Sequence, residues 1–215
     1  EIEYENISDQ AMKEKLSVLA AGGDLPDIFF CWGGECLNRF SRSGKTLDIT
    51  SYMDEDAEWK DSFLPAFLSS SVYEGKNYAV PYRSSVLYML YNKQVFADNN
   101  LDVPTTWDEL KAACEALKAY DDSIYPWGID MTTDEGQAAF AYYTWNNGGG
   151  FVDDEGNWTL NSEQNVEAIQ YAIDLVNSGY TNTDPANDTR YDLQDMFGAG
   201  KVAMLIAPNS LPTYI

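Results

Sequence analysis

The chain has 215 residues, with 13 Lys and Arg against 35 Asp and Glu and no His, a formal charge of −22. A surface this acidic repels phosphate backbones, which argues against nucleic-acid binding. The missing His removes Ser-His-Asp and Cys-His nucleophile pairs and any His-ligated zinc site.

In chain order, Glu1-Ile2-Glu3-Tyr4-Glu5 alternates as a strand does, which predicts a strand over 1–7. Met12, Leu16 and Leu19 mark a helix over 9–21 that Gly22-Gly23 stops. Ile28-Phe29-Phe30-Cys31 reads as a buried strand, followed by short helices over 35–43 and 61–70. Val72-Tyr73 and Tyr78-Ala79-Val80 flank a hairpin turn at Glu74-Gly75-Lys76-Asn77, and a further strand runs over 85–91. A boundary falls in 99–105, rich in Asn, Asp and Pro. Thr106-Trp107-Asp108-Glu109 is a capping box opening a helix with Leu110, Cys114 and Leu117 on its apolar stripe. A strand at 127–129, a helix over 137–147 and a hairpin over 151–160 follow. Ser162 caps a helix with the stripe Val166, Ile169, Ile173 and Val176, before a short helix over 192–199 and a buried strand over 202–207.

This alternation is α/β patterning with mostly parallel strands covered by helices. The acidity is spread, net −8 over 1–105 and net −14 over 106–215, as on a solvated surface rather than a charged tail. No apolar run approaches the roughly 20 residues that cross a bilayer. Of Cys31, Cys36 and Cys114, the last is a core residue. The other two read as free thiols, with a bridge as the alternative. Asp153-Asp154-Glu155-Gly156-Asn157 has half the oxygens of a calcium loop but lacks the closing bidentate Glu, so it reads as a hairpin turn. No metal site and no cofactor is expected.

Five blocks give the chain a family likeness. They are Leu19-Ala20-Ala21-Gly22 with Pro26-Asp27-Ile28-Phe29, then Gly75-Lys76-Asn77-Tyr78-Ala79-Val80-Pro81, then Leu90-Tyr91-Asn92-Lys93 with Phe96. The others are Pro104-Thr105-Thr106-Trp107-Asp108-Glu109-Leu110 and Phe197-Gly198-Ala199-Gly200-Lys201-Val202-Ala203-Met204, with Trp145-Asn146-Asn147-Gly148-Gly149 in support. In this order and spacing the sequence resembles the extracellular carbohydrate-binding solute-binding proteins of ABC importers, the maltodextrin-binding-protein-like family. The resemblance implies a two-lobe, class II periplasmic-binding-protein-like α/β fold with mixed sheets flanked by helices. It assigns 1–105 to a first lobe and 106–215 to part of a second. It also implies a first strand and an export signal before residue 1, often a lipoprotein one, and more chain after residue 215, so the sequence reads as a fragment incomplete at both ends.

What the resemblance implies for function is a non-catalytic, monomeric receptor outside the cytoplasm. It would close on a sugar or oligosaccharide and deliver it to the ABC transporter membrane permease, touching the membrane only through a lipid anchor. A glycan hydrolase with paired carboxylates, or a receptor for a non-sugar solute, is the alternative. Sugars present apolar faces edged with hydroxyls, so aromatic rings and planar polar groups are the candidates. Trp32 stands at the end of the predicted strand 28–31 beside Gly33-Gly34, in a loop the resemblance puts at the cleft. Glu35 reads equally as a ligand group or as a helix N-terminal charge. Tyr82, Arg83, Ser84 and Ser85 follow Pro81, and Arg83 is one of four arginines, a fork of donors for hydroxyls or a carboxylate. Asp130, Gln137 and Trp145 are the candidates of the second lobe, whereas Tyr143 belongs to an aromatic cluster of core type. The maltodextrin-binding protein carries a Gly-Pro-Trp turn where this chain has Ala207-Pro208-Asn209-Ser210. That stacking Trp is missing, and Asn209 and Ser210 remain as hydrogen-bonding candidates.

Overall fold

A computed structural model describes residues 2–7 and 9–213. The chain divides into two compact units, Glu1–Ser84 and Ser85–Ile215.

In the first unit α1 (Asp9–Gly22) buries Leu16. The strand expected over 1–7 is not formed: residues 2–7 pair with no strand among the described residues, Ile2 is 93% exposed, and Glu1 lies outside the description. Alternation gives a strand only when a neighbour completes its ladder. The strand expected at 28–31 is also unpaired, and Ile28 is exposed. Its apolar character is used ring on ring instead, with Phe29 edge-on to Phe40, centroids 5.4 Å apart. Phe40 comes from α2 (Glu35–Arg42), which also buries Leu37.

Then follow α3 (Thr50–Glu55), α4 (Ala57–Asp61) and α5 (Pro65–Leu68), closed by a 3-10 turn at Ser69–Ser71. The single helix expected over 61–70 is thus broken. Pro65 has no N–H and its ring clashes with a preceding turn, so it opens α5 instead of continuing α4. The hairpin of β1 (Val72–Tyr73) and β2 (Lys76–Asn77) pairs Val72 with Asn77 and Tyr73 with Lys76. Its turn is Glu74-Gly75 alone, tighter than expected, with φ 48° and 79°. Such a positive pair matches the twist of the flanking strands, and Gly adopts it at little cost.

The second unit contains β3 (Leu87–Tyr91), α6 (Lys93–Asp98), α7 (Trp107–Tyr120), β4 (Tyr125–Gly128), α8 (Gly136–Asn146), α9 (Glu163–Asn177), α10 (Arg190–Gly198) and β5 (Val202–Pro208). The sheet order is β3-β5-β4, with β5 antiparallel to β3 and parallel to β4. The sheet is therefore mixed, not mostly parallel. Residues 85–105 group with this unit because β3 hydrogen-bonds along β5, with Tyr88 opposite Ala207. Contacts accordingly divide the chain well before residue 105.

β5 is apolar and buried almost throughout, as a central strand covered on both faces must be. The Thr106 hydroxyl accepts from Glu109 N–H, and the Glu109 carboxylate accepts from Thr106 N–H, which fixes the start of α7. Leu110, Cys114 and Leu117 of α7 pack into the core with Phe96, Trp127, Tyr143 and Met204. Burial pushes the Cys114 thiol up to about 12. The stripe expected on α9 is the wrong face. Asn165, Ala168, Ala172 and Leu175 are buried, while Val166, Ile173 and Val176 are exposed and Ile169 is half-buried. Small residues let α9 approach α8 closely, and Asn165 is drawn in by hydrogen bonds to the Gly150 and Thr159 backbone.

Candidate functional site

The second unit has a pocket at the C-terminal end of β4, where ligands gather in α/β folds. The backbone there is held from both sides. Ile129 N–H donates to Asn182 Oδ1 at 2.9 Å, and Met131 N–H donates to the Pro185 carbonyl at 2.8 Å. Asp130 sits between these anchors, 8% exposed. Its Oδ1 accepts from Thr132 N–H at 2.8 Å, whereas its Oδ2 is buried without a hydrogen-bond partner. A buried acceptor of this kind is costly unless something donates to it.

Around Asp130 stand Glu135, just before α8, Tyr142 on α8 and Arg190, the first residue of α10. Arg190 Nε donates to Glu135 Oε1 at 2.8 Å, and Arg190 Nη2 reaches Tyr191 Oη at 3.3 Å. Burial raises the Tyr142 hydroxyl pKa, and the Asp130 and Glu135 charges raise it further, so it remains a proton donor at neutral pH. Gly128 and Leu205 give the pocket an apolar wall. The cavity is small, about 30 Å³. An apolar wall, a carboxylate oxygen without a donor, a phenol and a guanidinium thus line one cavity. Among the described residues no group of His, Cys, Asp and Glu is arranged to hold a metal ion.

Of the expected second-lobe residues, Asp130 lines this pocket. Gln137, at the second position of α8, is exposed and outside the lining. Trp145 lies at the far end of α8, 63% exposed, with its ring 6.2 Å from Phe151. Tyr143 is buried and accepts from Trp127 Nε1 at 2.8 Å, the core role expected of it. Asn209 and Ser210 are exposed beyond β5, and Asn209 N–H donates to the Val86 carbonyl at 3.0 Å. Ser85 is exposed near the start of the unit. Glu135, Tyr142 and Arg190 were not anticipated. Arg190 carried the same signal as Arg83, a rare cation in an acidic chain.

In the first unit Phe30 joins two of the expected residues. Its ring is 5.7 Å from Trp32 and 6.2 Å from Tyr82, both edge-on. Lys13 Nζ lies 5.0 Å from the Trp32 ring centre. Tyr82 is 85% exposed, and Arg83 and Ser84 are exposed beside it. A Cβ on Gly33 would lie 2.7 Å from the Ser70 carbonyl oxygen, so only Gly lets the Trp32 loop pack there. Glu35 is the first residue of α2 and pairs with Arg42 in the last turn of the same helix.

Against known proteins, residues 1–212 match the model of the bacterial extracellular solute-binding protein family. The chain belongs to that family. A putative binding protein of Brucella abortus is 28% identical over 215 residues, covering 100% of this chain and 52% of the relative. An arabinooligosaccharide-binding protein of Bacillus subtilis is 29% identical, covering 91% of this chain and 45% of its own. Among solved structures, a chitin oligosaccharide binding protein superimposes with a TM-score of 0.84 at 25% identity, over 98% of this chain and 53% of that one. The chain thus spans about half the length of the curated relatives it matches. The two-lobe, mixed α/β class of bacterial extracellular solute-binding proteins is its fold class.

Proposed function

We propose that the whole protein is a receptor that binds a sugar or oligosaccharide and passes it, chemically unchanged, to the membrane permease of an ABC importer. The observation that carries this reading is Asp130: a buried carboxylate oxygen without a donor, on a rigid backbone segment, in a pocket that also offers a phenol and an apolar wall. Hydroxyl-rich ligands supply the donors such an oxygen lacks. The Trp32–Phe30–Tyr82 run, with Tyr82 exposed and the other two half-buried, supports the same ligand class, because aromatic rings cover the apolar faces of sugars. Family relatives named for arabinooligosaccharides and chitin oligosaccharides point the same way.

In this proposal Asp130 is a solute contact within the second unit, and Trp32, Tyr82 and Arg83 are candidate contacts within the first. The same proposal makes the protein a monomer outside the cytoplasm, either a cell-surface lipoprotein or periplasmic. Binding to the native state raises the melting temperature by mass action. A thermal-shift screen of the full-length protein against arabino-, malto- and chito-oligosaccharides tests the proposal. A shift of several degrees with one of these series supports it. A flat response to every saccharide, with a shift from an amino acid or peptide, contradicts it.

A further inference from the structure

The pocket of the second unit carries charge as well as shape. Asp130 and Glu135 bring two carboxylates and Arg190 one guanidinium, so the lining has one negative charge in excess. The guanidinium is already engaged by Glu135 and lies against the Tyr191 ring, its carbon 4.5 Å from the ring centre. Asp130 Oδ2 is a buried acceptor without a hydrogen-bond partner, on a residue more than nine-tenths buried.

We propose that this set is a charge filter: Asp130 Oδ2 receives a ligand hydroxyl, and the Asp130–Glu135–Arg190 arrangement excludes saccharides that carry a carboxylate. The inference rests on the sugar-receptor reading and adds a specificity to it. A carboxylate oxygen has only lone pairs to offer, so a neutral hydroxyl satisfies it and a uronate oxygen cannot. Two carboxylates brought together in a partly dehydrated site repel strongly. Arg190 would ordinarily welcome a uronate through its fork, but its Nε is held by Glu135 Oε1 and its Nη2 by Tyr191 Oη. Glu135 is therefore the positioning residue of the filter and Asp130 its contact.

The test uses the full-length protein and calorimetric titration with xylotriose and maltotriose, each against a counterpart bearing one glucuronate. The filter predicts that the neutral sugar binds at least roughly tenfold more tightly than its acidic partner. It predicts that Asp130→Asn weakens the neutral sugar and narrows the gap. Glu135→Gln frees Arg190, so the affinity of acidic sugars rises relative to that of neutral ones. A merely structural role for Glu135 would weaken both alike. Thermal unfolding of each variant checks that it folds. Should Asp130→Asn fail to fold, the wild-type ratio and Glu135→Gln still decide the question. Equal affinity of the wild-type protein for neutral and acidic partners overturns the filter and leaves the receptor reading intact. Binding of no saccharide of either kind overturns both.

Discussion

Asn165 fastens the 151–160 hairpin segment to α9, and its replacement by Leu should be costly for a reason that can be worked out bond by bond. Its Oδ1 accepts from Gly150 N–H at 2.9 Å, and its Nδ2 donates to the Gly150 and Thr159 carbonyls, both at 2.8 Å. Leu keeps the branched outline, is somewhat bulkier, and removes all three. The Gly150 N–H is then buried without an acceptor, which costs about 1–3 kcal/mol. The Gly150 carbonyl keeps the Thr159 hydroxyl at 3.1 Å, so the two carbonyls together add less, about 1 kcal/mol. The expected loss is about 3 kcal/mol, a factor on the order of 100 in the local opening equilibrium. Hydrogen exchange at the Gly150 amide of the full-length protein reads this directly. Val166→Ala, one residue on and exposed, should change protection by less than about 0.5 kcal/mol. If Val166→Ala costs more than Asn165→Leu, the assignment of the buried face of α9 is wrong.

Acid should destabilise the chain over a defined window. Hydrogen bonds from Thr50, with Lys76 nearby, hold the Asp48 carboxyl at about 2, and donors from Thr105 and Thr106 lower that of Glu109, as Thr189 does for Asp192. A carboxyl with a depressed folded pKa stabilises fully above its unfolded value near 4 and loses that contribution as pH falls through the folded one. Stability measured by denaturant titration should therefore be level from about pH 7 to 5 and fall between about pH 4 and 2, with a smaller fall in Asp48→Asn. A fall complete by pH 5 would refute this. Cys114, buried with its thiol raised to about 12, should stay unmodified when the folded protein meets iodoacetamide at pH 8, and react in urea. Mass spectrometry showing prompt alkylation of Cys114 in the folded state would contradict its place in the core. Gly33→Ala should cost about 1–3 kcal/mol and shift Trp32 fluorescence, because the added Cβ meets the Ser70 backbone. An unchanged melting temperature and spectrum would show the loop to be freer than described.

The parts of the fold legible in the sequence are those fixed locally. Thr106 and Glu109 signal a capping box three residues apart, and the structure makes both of its bonds. Gly75 marks its hairpin for the same reason. What failed was partner-dependent. Ile28 and Ile2 look like strand residues, but no neighbouring strand among the described residues pairs with them. Val166, Ile169, Ile173 and Val176 form a more apolar stripe than Asn165, Ala168, Ala172 and Leu175, yet close helix packing favours the smaller set. That Asp130 follows a strand was legible in the apolar run before it. Its companions were not, since Arg190 meets Glu135 across 55 residues of sequence.

The most direct test of solute capture is equilibrium dialysis of the full-length protein with a radiolabelled oligosaccharide, followed by chromatography of the released label. Solute capture predicts saturable uptake of one sugar per protein and recovery of the intact sugar. Shortened sugar in the released fraction, or no retention of any saccharide tried, would contradict it.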